Sequence, residues 1–279
     1  MVHIAGKRIL ITGAGSGLGR AMAIEFAKEG CRIAVADINQ DRAKKTVELV
    51  NKKGGEGFEI ICDVKRATGF DRIAKILKKE WGGIDILVNN AAVAAAGYME
   101  KIGVKDWDWI INENLKSVIY GCRTFIPVLA EQGEGYIVNI ASSAGIVSLP
   151  EMSSYNVCKA GVISLSETLR VELAKKNIGV TVVAPTFFKS NLMDQFICTD
   201  EGQRKFFEAC MEKASVTPER IAQHVVKSIK KKRMYVITQL DGKFAWRFKR
   251  YLPELYFKIL SYVYCRDYLY KIFDIKAKQ

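Results

Sequence analysis

Tyr155 and Lys159 stand four residues apart, so on a helix they share one face, a turn from each other. A cation fixed beside a tyrosine favours phenolate over phenol and draws its pKa from about 10 toward neutrality. The result is an acid/base able to move a proton on or off an alcohol at physiological pH. Alone the pair says little, because the chain has 11 tyrosines and many lysines, enough to give such a spacing by chance. Ser142 supplies the context. A β-branched run, Tyr136-Ile137-Val138-Asn139-Ile140, predicts a strand that delivers Ser142 at its C-terminal end, 13 residues before Tyr155. The interval leaves room for a loop and the first turn of a helix. Open α/β sheets keep their chemistry at such strand ends. Asn114, further upstream, completes the set.

The N-terminal stretch predicts a partner for that chemistry. Lys7 to Thr12 reads as a short apolar strand, the run Gly13-Ala14-Gly15-Ser16-Gly17-Leu18-Gly19 follows, and a helical pattern opens with Ala21, Ile24, Phe26 and Ala27. Strand, glycine turn and helix N-terminus make a dinucleotide cradle, where backbone approaches a pyrophosphate closely and free N–H groups meet its charge. The spacing is Thr-Gly-x-x-x-Gly-x-Gly, not G-x-G-x-x-G; the plain alternative is a flexible glycine loop. A second strand, Arg32 to Ala36, ends at Asp37, 20 residues after Gly17. A carboxylate at that offset accepts from a ribose 2′-hydroxyl and repels a 2′-phosphate. Ala36 and Ile38 flank it and Ser16 precedes Gly17, so no basic residue adjoins it in sequence and NAD is expected over NADP. Asp37 could also cap the helix starting near Asp41, and the two roles are compatible.

These residues resemble the short-chain dehydrogenase/reductase family in its single-domain branch. The similarity runs from about Lys7 to about Ile237 through Thr12-Gly13 to Gly19, Asp63, Asn89-Asn90-Ala91, Asn114, Ser142, Tyr155 and Lys159, all in the family's order. The resemblance implies that Asp63, with Val64 beside it, meets the adenine and that Asn90 and Ala91 stiffen the sheet next to the cofactor. It implies that Asn114 holds a water linked to Lys159, and that Lys159 also grips the nicotinamide ribose. Pro185 and Ser190 fall where the family binds the carboxamide. The segment 187–216 becomes the substrate lid, and the helices at 106–130 and 152–175 the faces that form a homodimer or homotetramer. Three positions depart from the pattern: Ala92 and Thr186 stand where glycine is usual, and Cys158 where serine is. None removes a group needed for the chemistry.

The elements that must position these residues alternate. Strands are predicted near 7–12, 31–37, 57–63, 84–89, 134–141, 178–184 and 233–238. Helices are predicted near 17–30, 40–53, 68–81, 106–130, 152–175 and 217–232. The expectation is a Rossmann-type doubly wound α/β fold, about seven parallel strands with helices on both faces. A chain of 279 residues with 26% charged and 49% hydrophobic positions suits one such globule. Its seven cysteines lack C-x-x-C spacing and there are two histidines, so no zinc site is expected and the thiols fit a reducing compartment. Met1 to Lys7 runs into the first strand without an apolar export segment, which points to the cytoplasm.

The C-terminal extension is of another character. Residues 230–279 hold 13 Lys and Arg against 4 Asp and Glu, and 12 aromatics. After a first domain of residues 1–241, the segment 242–279 repeats apolar residues at Phe244, Phe248, Leu252, Leu255, Ile259 and Tyr262, and Pro253 is placed to open a second helix. The longest uncharged run, Ile259 to Cys265, is far below the ~20 residues that a membrane span needs. A basic, aromatic, amphipathic helix pair fits an anionic membrane surface. The alternative, second to the membrane surface, is a cover over the substrate mouth or a subunit contact. Nucleic acid is not expected, since no recognition fold accompanies the composition.

The sequence therefore predicts an NAD(H)-dependent oxidoreductase that interconverts a hydroxyl and a carbonyl on a lipophilic molecule of the steroid, retinoid or long-chain alcohol type. The apolar residues of 187–216, from Phe187 and Phe188 to Met211, carry the lipophilic part of that expectation. A reductase of a long-chain or sterol ketone is the alternative. A catalytically silent dinucleotide-binding regulator is disfavoured because all four catalytic positions are filled.

Overall fold

A computed structural model describes residues 3–273 and 275. The chain alternates from β1 (Arg8–Thr12), α1 (Gly17–Ala27), β2 (Arg32–Asp37) and α2 (Gln40–Lys52) to β3 (Glu56–Ile61), α3 (Ala67–Trp81) and β4 (Ile86–Asn89). A two-residue strand β5 (Ala95–Ala96), α4 (Val104–Ile111), α5 (Ser117–Glu131), β6 (Gly135–Ile140), the short α6 (Ala144–Val147) and α7 (Ser153–Glu172) follow. Next come β7 (Ile178–Val183), β8 (Ile197–Cys198), α8 (Glu201–Glu212), α9 (Pro218–Lys230) and β9 (Tyr235–Val236). Three helices end the chain: α10 (Leu240–Tyr251), α11 (Pro253–Cys265) and α12 (Tyr268–Lys271).

The strands are short, β-branched and buried on both faces, which is the pattern of a covered parallel sheet. Seven of them pair in parallel in the order β3-β2-β1-β4-β6-β7-β9. Helices α1, α2 and α9 close one face around Phe26, Met22 and Ile221. Helices α3, α5 and α7 close the other around Phe70, Phe125 and Val162. The strand order reverses between β1 and β4, so the crevice beyond their carboxyl ends is where such a sheet receives a ligand. A third apolar cluster lies at that end, around Met152, Tyr155, Phe196 and Phe207.

All seven expected strands are present. The helix expected over 106–130 is present too, but a π-helical turn over Asn112–Lys116 joins α4 to α5. The segment 187–216 holds a strand as well as α8: β8 pairs with β5 and ties it to the chain leaving β4. The boundary expected between residues 241 and 242 falls inside α10, which starts at Leu240 and opens against the loop after β7. Pro253 opens α11 as expected. The end of the expected extension, residues 274 and 276–279, lies outside the described residues. No helix among the described residues is long and apolar enough to cross a membrane.

Candidate active site

The glycine turn between β1 and α1 is shaped by what touches it. Gly13 has φ +61°, and a Cβ there would stand 2.8 Å from the Ala91 Cα, so β4's continuation presses directly on the turn. Thr12 Oγ1 accepts from the N–H groups of Asn90 at 3.0 Å and Ala91 at 3.1 Å. The Asn90 amide donates back to the carbonyls of Thr12 and Gly13. Gly17 has φ +50°, and a Cβ there would touch Ser190 at 3.7 Å, with Leu18 and Gly19 buried behind it at the start of α1. Ser16 precedes the helix with no side-chain cap, which leaves its first N–H groups free to receive an anion. A tight turn and uncapped donors lining the cleft fit a dinucleotide pyrophosphate.

Asp37 closes that end of the cleft. Its carboxylate accepts from Gly15 N–H at 2.8 Å and from Asn39 N–H at 2.9 Å. The cap of α2 is instead Asn39, whose side chain accepts from Arg42 N–H. Arg42 also reaches across to Asp194, with Nη2 2.8 Å from Oδ2, and both line the cleft. Sequence reasoning looked only at the neighbours of Asp37 and missed this guanidinium, which the first turn of α2 brings back over the glycine loop. Asp63 and Val64 line the same end, with Asp63 accepting from Lys65 N–H at 3.0 Å.

At the other end Ser142, Tyr155 and Lys159 come together, as β6 hands its chain to α6 and α7. Lys159 is 1% exposed, donates to the Ile140 carbonyl at 3.2 Å, and sits 5.5 Å from the Tyr155 ring centre. Burial pushes the Lys159 ammonium down to about 8. Burial also pushes the Tyr155 phenol up to about 12, against the opposing hydrogen bond of Ser142. The lowered phenol expected from the Tyr-Lys spacing is therefore absent in the free protein. Ser142 Oγ accepts from Ala144 N–H at 3.1 Å.

Asn114 is fully buried in the π-helical turn, and its amide clamps the main chain of Val93, accepting from N–H and donating to C=O at 2.8 Å each. Those two bonds fix the side chain against the chain leaving β4 and leave it one further amide N–H to donate. Pro185 offers its carbonyl to Ser143 N–H at 2.9 Å, and Ser190 caps the short turn Asn191–Gln195.

The cleft between these ends has a volume of about 520 Å³. Trp109, Leu149, Met152, Phe187, Phe196 and Phe207 line the part beyond Tyr155. Among the described residues no group of His, Cys, Asp and Glu is placed to hold a metal ion.

Sequence reasoning also missed what holds the cleft walls. Gln239 accepts from Thr186 N–H and donates to the Phe187 carbonyl. Lys249 donates to the Ile146 carbonyl and to Ser148, Tyr256 to the Val147 carbonyl, and Tyr270 to Glu151. Tyr270 also packs on Phe206 of α8, with ring centres 5.3 Å apart. The C-terminal helices thus brace α6, the loop after it and the lid from behind.

A model of the short chain dehydrogenases matches residues 7–201, the span that carries the glycine turn, Asp37, Asp63, Asn114, Ser142, Tyr155, Lys159, Pro185 and Ser190. The chain belongs to that family. The family is one of oxidoreductases that use NAD(P). The 3-oxoacyl-[acyl-carrier-protein] reductase FabG of Thermotoga maritima is 32% identical over 248 residues, covering 86% of this chain and 97% of that one. The probable oxidoreductase EphD of Mycobacterium bovis is 31% identical over 255 residues, covering 88% of this chain. The match takes in 43% of EphD, so this dehydrogenase corresponds to less than half of that relative. A short chain dehydrogenase/reductase from Burkholderia phymatum, solved in complex with NAD, superposes with a TM-score of 0.85 at 28% identity. The match covers 91% of this chain and 96% of that one.

Proposed function

We propose that this dehydrogenase interconverts a hydroxyl and a carbonyl on a lipophilic molecule with NAD(H), Tyr155 carrying the proton. The observation that carries the reading is the placement of one proton-transfer group, Tyr155, on the floor of a cleft whose far wall is aromatic and aliphatic. Apolar walls recover binding energy from an apolar substrate and give little to a charged one.

In oxidation, phenolate at Tyr155 takes the hydroxyl proton; in reduction, phenol at Tyr155 gives it back to the carbonyl oxygen. Ser142 hydrogen-bonds the same oxygen and holds it facing Tyr155. Lys159 stabilises negative charge on the phenolate and offers a donor to the ribose side of the cleft. Asp37 receives the ribose hydroxyls. Bound NAD(H) supplies the two-electron acceptor or donor. The aromatic lid excludes water from the proton path.

The reductive direction has its own support. A phenol held near 12 is protonated at neutral pH, which is the form that donates to a ketone. The FabG relative is named as a reductase of a 3-oxoacyl group, which carries a ketone. The test is a panel of steroid, retinoid and long-chain alcohols and ketones, followed by nicotinamide absorbance with NAD(H) and with NADP(H). Turnover should rise with chain length or ring number. Preference for short, charged hydroxy acids would overturn the lipophilic reading.

A further inference from the structure

The three C-terminal helices are fastened on one side and bare on the other. Helix α11 buries only Tyr256, α12 only Tyr270, and α10 only Gly242. A helix of this length is marginal in water unless an apolar face is packed. Yet Leu252, just before α11, and Leu255, Ile259 and Tyr262 on it, at steps of three and four, are all exposed. On α10 Phe244 is 71% and Tyr251 77% exposed, in line with Leu240. The two helices form one hairpin, closed by the edge-to-face pair Phe248–Tyr256 at 5.8 Å.

The charge around this face is of one sign. Lys243, Arg247 and Arg250 form an exposed stripe on α10, and Lys258, Arg266 and Lys271 continue it along α11 and α12. None of these six forms an ion pair among the described residues. Arg250 lies over Trp246, Arg266 over Tyr262 and Lys271 over Tyr268. Three of the six cations therefore travel with an aromatic ring, the arrangement suited to a headgroup layer above an acyl boundary.

We infer that α10 and α11 are a docking surface for an anionic lipid bilayer, lying flat on it with Leu255, Ile259, Tyr262, Phe244 and Tyr251 inserted and the basic stripe among the headgroups. Charge selects this occupant over a second copy of the chain, because the chain carries a net +13 and a self-paired hairpin would set these cations against their own duplicates. Surface binding, not spanning, follows from helix length, since α11 has 13 residues and α10 has 12. The docking stands apart from the choice of substrate. It also has a geometric consequence: Lys249, Tyr256 and Tyr270 tie the docked helices to the loop that borders the cleft. A bilayer held there would sit beside the substrate mouth.

The test is flotation of the full chain with vesicles of mixed phosphatidylcholine and phosphatidylserine, and with vesicles of phosphatidylcholine alone, at low and at high salt. Binding should require the anionic lipid and weaken with salt. Replacing Lys243, Arg247 and Arg250 by Gln should lower the affinity on the order of 100-fold, about fivefold for each cation. Replacing Leu255 and Ile259 by Ser should abolish the binding that survives high salt. NAD titration of each variant, on residues remote from the cradle, reports that the fold is intact. No flotation at low salt overturns the inference. So does a sedimentation experiment in which the chain self-associates through these residues, or equal binding to neutral and anionic vesicles.

Discussion

The two ends of the parallel sheet treat charge in opposite ways. At the amino ends of β1, β2 and β6 basic side chains are met by carboxylates. Arg8, at the start of β1, holds Asp85 with Nη2–Oδ1 at 2.8 Å and Nε–Oδ2 at 3.0 Å, and its N–H joins at 2.7 Å. Lys7 pairs with Glu134 before β6, and Arg32 with Glu56 across the first register of β2 and β3. At the carboxyl ends Lys159 lies deeper than any of these, with a carbonyl in place of a carboxylate. A buried cation without a counter-ion is costly, and a fold keeps one where a pKa far from its ordinary value is useful. Paired charge marks the end that holds the sheet together. Unpaired buried charge marks the end that works.

The largest expected effect breaks the working end and leaves the other alone. Tyr155→Phe keeps the ring and removes the proton, so turnover should fall by roughly 10²–10⁴ while NAD titration stays unchanged. The pH profile has a sign to check. Because burial holds the Tyr155 phenol up at about 12, the phenolate needed for alcohol oxidation is scarce at neutrality and grows as pH rises. Oxidation should therefore climb from pH 6 to 8 and flatten above it, where Lys159, brought down to about 8, gives up its charge. Ketone reduction should be flat over the same range. An oxidation rate that declines from pH 6 to 8 would assign the proton to another group.

The converse substitution is at the amino end. Asp85→Ala leaves Arg8 half-buried without its partner, and urea unfolding should show a loss of about 2–3 kcal/mol. Turnover per folded molecule should not change. Burial alone would raise the Asp85 carboxyl, but the hydrogen bonds from the Arg8 guanidinium and N–H outweigh it and hold the carboxyl below its usual value. The pair's contribution is thus present above the ordinary carboxylate range and is lost as pH falls through the lowered value. Equal acid sensitivity of wild type and Asp85→Ala would show that the pair carries no such linkage.

The legible parts of this site were those encoded by short spacing. The turn Gly13 to Gly19 and the pair Tyr155/Lys159 are set by a strand-to-helix junction and by one helical turn, both readable along the chain. The sign of the Tyr155 shift was not, because it depends on burial, which distant elements decide. Asn89, Asn139 and Ser166 form a buried hydrogen-bonded chain through the sheet, from residues up to 50 apart. The two-residue strands β5 and β8 have no period of their own to read. The hairpin of α10 and α11 showed its helical period and its charge in the sequence. Tyr256 reaching Val147, 109 residues away, left no trace there.

The smallest expected effect concerns Arg42–Asp194, an ion pair at the carboxyl end that departs from the contrast between the two ends. It joins the cofactor side of the cleft to the lid across 152 residues of sequence. Asp37, satisfied by two main-chain donors, presents a negative edge to a ribose 2′-position, so NAD should bind more tightly than NADP. Arg42 is the cation that could reverse this, and Asp194 holds it away. Asp37→Ala should weaken NAD about tenfold and narrow the preference, through loss of one charge-assisted hydrogen bond. Asp194→Asn should leave NAD unchanged and tighten NADP by a few-fold, on the order of 1 kcal/mol, as the freed guanidinium turns to the 2′-phosphate. Calorimetric titration of both cofactors against the three proteins reads these differences directly. Wild type binding NADP as tightly as NAD would show that Arg42 already serves the cofactor, and that this end leaves its charges unpaired more completely than the free structure displays.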